Sequence, residues 1–203
     1  LYVKDPETSE LGRNILENSI FLINEIGFEA FTFKKLGEKI QSNESSIYRY
    51  FENKNQILIE VLSNAITHEI DILNTIAKSE LESVEKLHKA VKTFVKRALN
   101  SPQLSYSLMF EPIDAVLEHE RFRSKQLIKE SIKEILAEGK TNGDFVFEDL
   151  NTAALCVVGA MTFVVIEPLN PSRNVIFDEN YKGYFVKQIA DFCVNAVQIK
   201  EGV

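Results

Sequence analysis

The stretch TFKKLGEKIQSNESSIYRYFENK, Thr32 to Lys54, decides the fold. Its second half sets Tyr48, Arg49, Tyr50 and Phe51 in a row behind two serines. A core segment would not choose the arginine, and a solvent face would not choose three aromatics. A short helix reconciles them. Ile47, Tyr50 and Phe51 recur at i, i+3 and i+4 and face inward, while Ser45, Ser46 and Arg49 share the opposite side with Tyr48 on the flank. Thr32 is a good N-cap for a preceding short helix ending near Ile40. Gln41-Ser42-Asn43 forms a tight turn, and Asn43 caps the next helix, through about Tyr50. Short helix, tight turn, short helix is the helix-turn-helix arrangement. Small residues at the front of its second helix allow close entry into a major groove. There Arg49 can reach a base edge or a phosphate, and the Tyr48 hydroxyl can donate to a phosphate.

Working outward, the periodicity is helical throughout and no strand, repeat or low-complexity segment stands out. A first helix runs from about Ser9 to Ile26 with Leu16, Ile20 and Ile23 on one stripe, and Gly27 supplies a left-handed stop. Asn53 and Gln56 read as a variant capping box opening a long fourth helix. That helix joins a small N-terminal unit to a larger helical remainder without a flexible linker. Ser101 and Pro102 start a later helix, Pro112 interrupts the chain, and the run from Phe122 to Leu136 forms another. Two last helices, about Glu148 to Ile166 and Asp178 to Lys200, flank the stretch EPLNPSRN.

The chain has 203 residues, 23 Lys and Arg against 30 Asp and Glu, and a formal charge of −7. That balance argues against non-specific coating of nucleic acid. The window from Thr32 to Gln56 nevertheless holds five cations (Lys34, Lys35, Lys39, Arg49, Lys54) against Glu38, Glu44 and Glu52, a local +2. A moderately basic face on an acidic body suits a site-specific binder. Cys156 and Cys193 make neither a disulfide framework nor a zinc site, and both read as buried, reduced thiols, which fits the cytoplasm. No secretory signal opens the chain. Leu150 to Ile166 lacks charge but is too short for a membrane span, and reads as a buried central helix. No phosphate-cradling loop, HExxH or nucleophile constellation appears, so no enzyme, metal or cofactor is expected.

Residues Gly27 to Leu62 resemble the DNA-binding unit of the tetracycline-repressor (TetR) family. The likeness rests on Gly27, Thr32, the run Ile47-Tyr48-Arg49-Tyr50-Phe51 and Lys54. It implies an all-α fold, with a three-helix DNA-binding domain over residues 1–56 and a helical ligand-binding and dimerisation body over 57–203. It implies phosphate contacts by Thr32 and Tyr48, with Lys34 beside the DNA backbone and Lys54 holding a phosphate at a helix N-terminus. Ser45, Ser46 and Arg49 take the base-facing positions. The chain departs from the family's usual turn, which has Gly and then an aliphatic residue. Here Gln41 in a left-handed turn costs about 1 kcal/mol relative to Gly. Glu44 adds a negative charge at the front of the recognition helix.

In the last helix Phe185, Ile189, Phe192 and Ala196 form one apolar stripe, and Val186, Ala190, Cys193 and Val197 the adjacent one. A monomer's surface helix needs one stripe, so the second points to a homodimer with a four-helix interface; a fully internal hairpin is the alternative. Phe94, Tyr106, Phe110, Phe122, Met161 and Phe163 could line a cavity for a small hydrophobic inducer, and could equally be ordinary core. The expectation is therefore a ligand-responsive regulator, a repressor on double-stranded palindromic DNA. A helical carrier of an apolar molecule with a vestigial DNA unit, or a protein-interaction module, stands as the rival.

Overall fold

The computed structural model describes residues 4–111, 115–170 and 177–199, and Pro112 lies outside them. Every regular element among these residues is helical. One isolated antiparallel bridge joins Phe145 to Gln198. The order is a 3-10 turn Pro6–Thr8, then α1 Glu10–Ala30, α2 Phe33–Lys39, α3 Glu44–Ile47, α4 Lys54–Ala77, α5 Ser83–Asn100, α6 Pro102–Met109, α7 Ala115–Asn142, α8 Leu150–Phe163, a 3-10 turn Val164–Ile166, and α9 Glu179–Asn195. The chain divides into two compact units, residues 1–65 with 101–122 and residues 66–100 with 123–203.

In the first unit α6 packs on α1, and α2 packs on both α1 and α3. Ser9 caps α1, its Oγ accepting from the Gly12 amide at 3.0 Å. The buried face of α1 carries Ile15, Leu16, Leu22 and Ile23 and centres on Gly12 and Ser19. Ser19 can be hidden because its hydroxyl donates to the Ile15 carbonyl at 2.7 Å. Ile20, about 100° further round the helix, is 39% exposed, which corrects the Leu16-Ile20-Ile23 stripe. Gly27 interrupts α1 at φ 78°, ψ 161°, a region closed to side-chain-bearing residues, so the helix kinks there and not at a simple left-handed cap. Asn53 and Gln56 cap α4 reciprocally. Asn53 Oδ1 accepts from the Gln56 amide at 3.1 Å, and Gln56 Oε1 reaches back to the Glu52 amide at 2.7 Å.

The core of the second unit forms where α5 meets α9 and α8. The face of α5 with Leu87, Val91, Phe94 and Val95 is buried. The stripe of Val186, Ala190 and Cys193 on α9, with Val197 just beyond its end, is buried at 2%, 0%, 1% and 5% exposure, so this is the stripe that faces the unit's own core. Burial pushes the Cys193 thiol up to about 11. Cys156 is exposed, not buried as its apolar surroundings in sequence suggest. It sits on the outer face of α8 with Leu155 and Phe163, whereas Ala154, Val157, Val158 and Met161 face in. The reading of α8 as a buried central helix is thereby overturned for the single chain. An uncharged helix hides whichever stripe meets its neighbours, and in this chain only one does. No helix among the described residues is long and apolar enough to cross a membrane.

Two stability outcomes follow from unit one. Gln41 has φ 55°, as the atypical turn requires. Gln41→Gly should raise stability by about 0.5–1 kcal/mol, the left-handed cost offset partly by glycine's greater unfolded freedom; chemical denaturation reads it. Burial, then the nearby carboxylates of Glu7 and Asp5, hold the Glu60 carboxyl above its ordinary value. Ionised Glu60 therefore opposes folding at neutral pH, and the penalty fades as pH falls through that raised value towards the ordinary one. Glu60→Gln should stabilise at pH 7, with the gain vanishing near pH 4 in melts taken across that range.

Candidate nucleic-acid interface

Thr32 opens α2 in an extended conformation, its side chain accepting from the Lys35 amide at 3.2 Å. The helix buries Phe33 and Leu36 and leaves Lys34, Lys35 and Lys39 outside. Gly37 is a contributor that the sequence reading did not single out. The Ser42 amide donates to its carbonyl at 2.9 Å, and a Cβ on residue 37 would lie 2.7 Å from the Ser42 oxygen, so the return of the chain demands glycine. A lone glycine inside a helical run was the available signal. Asn43 Oδ1 then accepts from both the Ser46 amide and the Ser46 hydroxyl at 2.9 Å, starting α3.

Regular α3 ends at Ile47, earlier than the periodicity implied, and the chain continues as a turn. The amides of Tyr50 and Phe51 both donate to the Ile47 carbonyl, at 2.9 and 3.1 Å. The predicted division of faces holds. Ile47, Tyr50 and Phe51 are 0%, 5% and 3% exposed, while Ser45 and Arg49 are exposed and Ser46 half-buried. Tyr48 is 49% exposed and stands edge-on against Phe33, ring centres 4.9 Å apart, which fixes the phenol without hiding it. Tyr50 uses its own hydroxyl inward, sharing a 2.7 Å hydrogen bond with Ser9 Oγ.

The cations of this region are of two kinds. Lys35 Nζ donates to the Ala30 carbonyl at 2.9 Å, and Lys39 Nζ lies 3.7 Å from the centre of the Phe21 ring. Lys54 is half-buried, donating to the carbonyls of Phe28 and Glu29 at 3.0 and 3.2 Å and lying 4.6 Å from the Phe28 ring centre. It thus satisfies carbonyls at the frayed end of α1. Lys34 and Arg49 occupy exposed positions. Lys34 borders an open depression along the turn, lined also by Glu38, Gln41, Ser42, Asn43 and Glu44, so α2 and the front of α3 share one surface. Thr32, Lys34, Ser45, Ser46, Tyr48 and Arg49 are thus carried by α2, α3 and the residues that flank these two packed helices, and Lys54 is tied to the segment that leads into Thr32.

The residues expected around a ligand are less gathered. In the first unit Tyr106 and Phe110 are half-buried neighbours with ring centres 5.8 Å apart, and Phe122 is 63% exposed. In the second, Phe94 and Met161 are buried and Phe163 is 61% exposed. Two depressions in that unit, of about 520 and 400 Å³, are lined by none of the six. The first holds His88, whose Nε2 lies 3.2 Å from Asp191 Oδ1. The second runs between α8 and α9 and is bordered by Cys156, Phe192 and Ala196. Along the other α9 stripe Phe185 and Ile189 are half-buried, Phe192 is 66% exposed and Ala196 is exposed. Their exposure excludes a fully internal hairpin in the single chain.

Residues 15–61 match the family model of the bacterial regulatory proteins, tetR family. Among curated protein sequences none matches the chain. Solved structures of the same fold include a regulatory protein in the tetR family from Rhodococcus RHA1, with 14% identity over 95% of this chain and 100% of that one and a TM-score of 0.76. The MbdR regulator from Azoarcus sp. CIB shares 20% identity over 92% and 98% of the two chains at a TM-score of 0.74. The transcriptional regulator FadR from Bacillus subtilis, solved in complex with stearoyl-CoA, shares 18% identity over 90% and 95% at 0.71. At these identities the likeness is one of fold.

Proposed function

We propose that this chain, whose N-terminal unit belongs to the tetR family of bacterial regulatory proteins, is a ligand-responsive transcriptional regulator acting in the cytoplasm. It binds a palindromic operator in double-stranded DNA as a homodimer and represses by occluding transcription. The observation that carries the reading is the segment Ile47 to Phe51. Three of its side chains are buried, and Tyr48 and Arg49 between them are exposed beside Ser45. A rigidly seated turn presenting a phenol, a guanidinium and small hydroxyls suits phosphate contact and base-edge contact together.

In this reading residues 1–56 bind DNA and residues 57–203 carry regulation and dimerisation. Thr32, Lys34, Tyr48 and Lys54 meet phosphates, and Ser45, Ser46 and Arg49 face bases. Dimerisation uses Phe185, Ile189, Phe192 and Ala196 with the outer face of α8. The exposure of Leu155, Phe163 and Phe192 supports this, since large apolar groups left in water on a single chain commonly mark a surface that a partner covers. The inducer is a small molecule with an apolar part, in keeping with the stearoyl-CoA complex of the Bacillus subtilis protein. Phe94 and Met161 are its first candidate contacts. Two recognition helices read successive major grooves at a spacing of about 34 Å, so a ligand that prefers another spacing weakens operator binding.

Selection of bound duplexes from a random pool tests the reading: it should enrich a two-fold symmetric sequence. Failure to enrich any duplex at low salt would remove it. On the enriched duplex, Tyr48→Phe and Lys54→Ala should weaken binding about equally across sequences, and Arg49→Ala should also relax sequence preference. Lys54→Ala should lower the melting temperature as well, because the Phe28 and Glu29 carbonyls lose their donor. For assembly, Phe192→Glu is preferred, since a residue exposed in the single chain can accept charge without unfolding it. Sedimentation should then show monomers that keep wild-type helicity; a wild-type monomer at micromolar concentration would end the dimer assignment.

A further inference from the structure

The segment Lys4 to Ser9, ahead of α1, is stitched to its surroundings at several points. Asp5 Oδ1 accepts from the Glu7 amide at 2.9 Å and closes the small 3-10 turn. Arg13 Nη1 donates to the Glu7 carbonyl at 2.9 Å. Pro6 lies so close over Gly12 that a Cβ there would come 2.2 Å from the Pro6 oxygen. At one end Ser9 Oγ bonds the Tyr50 hydroxyl, and at the other the Lys4 amide donates to the Arg49 carbonyl at 2.8 Å. Both links end on the turn that carries the recognition residues. The Lys4 amide bond to the Arg49 carbonyl brings the two main chains together, so the exposed Lys4 stands beside the exposed Arg49.

We propose that this arm is a second DNA-contacting element, in which the Lys4 ammonium meets a duplex phosphate next to the site read by Arg49. The charges of the arm are sorted in a way that favours this. Glu7 turns to α4, where the Asn64 amide lies 3.5 Å from its Oε1, and the Asp5 carboxylate is engaged by the Glu7 amide. Lys4 is the arm's cation, and its backbone is held at the end of α3. A side chain that is exposed while its main chain is pinned delivers a charge to a defined place with less lost entropy on binding than a loose tail. The contact reads no base; it adds affinity and fixes register.

The inference rests on the DNA-binding reading, and the test separates the two. Wild type, Lys4→Ala and Lys4→Glu would be titrated with the duplex enriched by wild type and with a random-sequence duplex, over a range of salt. One lost phosphate contact flattens the slope of log K against log salt by about 0.9 per protomer. Lys4→Ala should therefore bind both duplexes more weakly, by a similar factor. Its deficit against wild type should shrink roughly threefold per protomer between 50 and 200 mM salt. Lys4→Glu should lose more. Melting temperatures should not change for Lys4→Ala, because the pinning bond is made by the backbone. Wild type that binds with normal salt dependence while Lys4→Ala keeps its affinity and slope would overturn the arm alone. Wild type that binds neither duplex would overturn the arm and the reading beneath it.

Discussion

A helix of four residues does not hold itself together: the first hydrogen-bonded turn fixes several dihedrals for one bond, and isolated helices several times longer are marginal in water. The turn from Glu44 to Phe51 therefore exists only because Ile47, Tyr50 and Phe51 are driven out of water. Burying each such side chain contributes about 1.5–3 kcal/mol. That anchoring is what allows Ser45, Tyr48 and Arg49 to be exposed and yet placed. The other local devices serve the same seat. Asn43 supplies the cap, Gln41 takes the left-handed turn, Gly37 admits the returning chain, and Ser9 accommodates the inward Tyr50 hydroxyl. All four act on the one turn, and at position 41 it is the left-handed backbone and not the glutamine side chain that matters.

Charge in this protein has structural duties before it has functional ones. The segment around the turn is locally cationic in a chain of net charge −7. Lys35 and Lys54, however, satisfy carbonyls at the end of α1, and Lys39 covers the exposed ring of Phe21. Counting basic residues overstates the charge that is available to a partner. Geometry moves the emphasis to Lys34, Arg49 and the pinned Lys4. The balance for Lys54 is two-sided: the same ammonium that closes off carbonyls after the Gly27 kink lies where the family resemblance puts a phosphate.

The second unit works by a different principle, that of incomplete burial. One stripe of α9 is sealed against its own core, tightly enough to push the Cys193 thiol far from its reactive range, while the neighbouring stripe remains in water at Phe192 and Ala196. On α8, Leu155, Cys156 and Phe163 repeat the pattern. In each of these two helices one apolar stripe is buried and the neighbouring one stays exposed.

Much of this was legible in the residues themselves. Capping, turn and period are local properties, set by side chains within four positions of one another, so Thr32, Asn43, Asn53 with Gln56, and the inward set Ile47, Tyr50 and Phe51 could be read directly from their spacing. The left-handed Gln41 was legible for the same reason. What spacing could not supply was which of two apolar stripes meets a neighbour. Ile20, Cys156, Phe163 and Phe192 are as hydrophobic as the residues beside them, and only the packing of other helices leaves them exposed. Nor could it supply bonds between residues far apart in the chain. The Lys54 contacts with Phe28 and Glu29, and the Lys4 contact with Arg49, depend on distances that exist only once α1 and its neighbours have closed on a common core. Local sequence determined the elements and their faces; the tertiary structure decided which faces were covered and which charges remained to meet a partner, because burial and long-range hydrogen bonds belong to the assembled fold and to no segment of it.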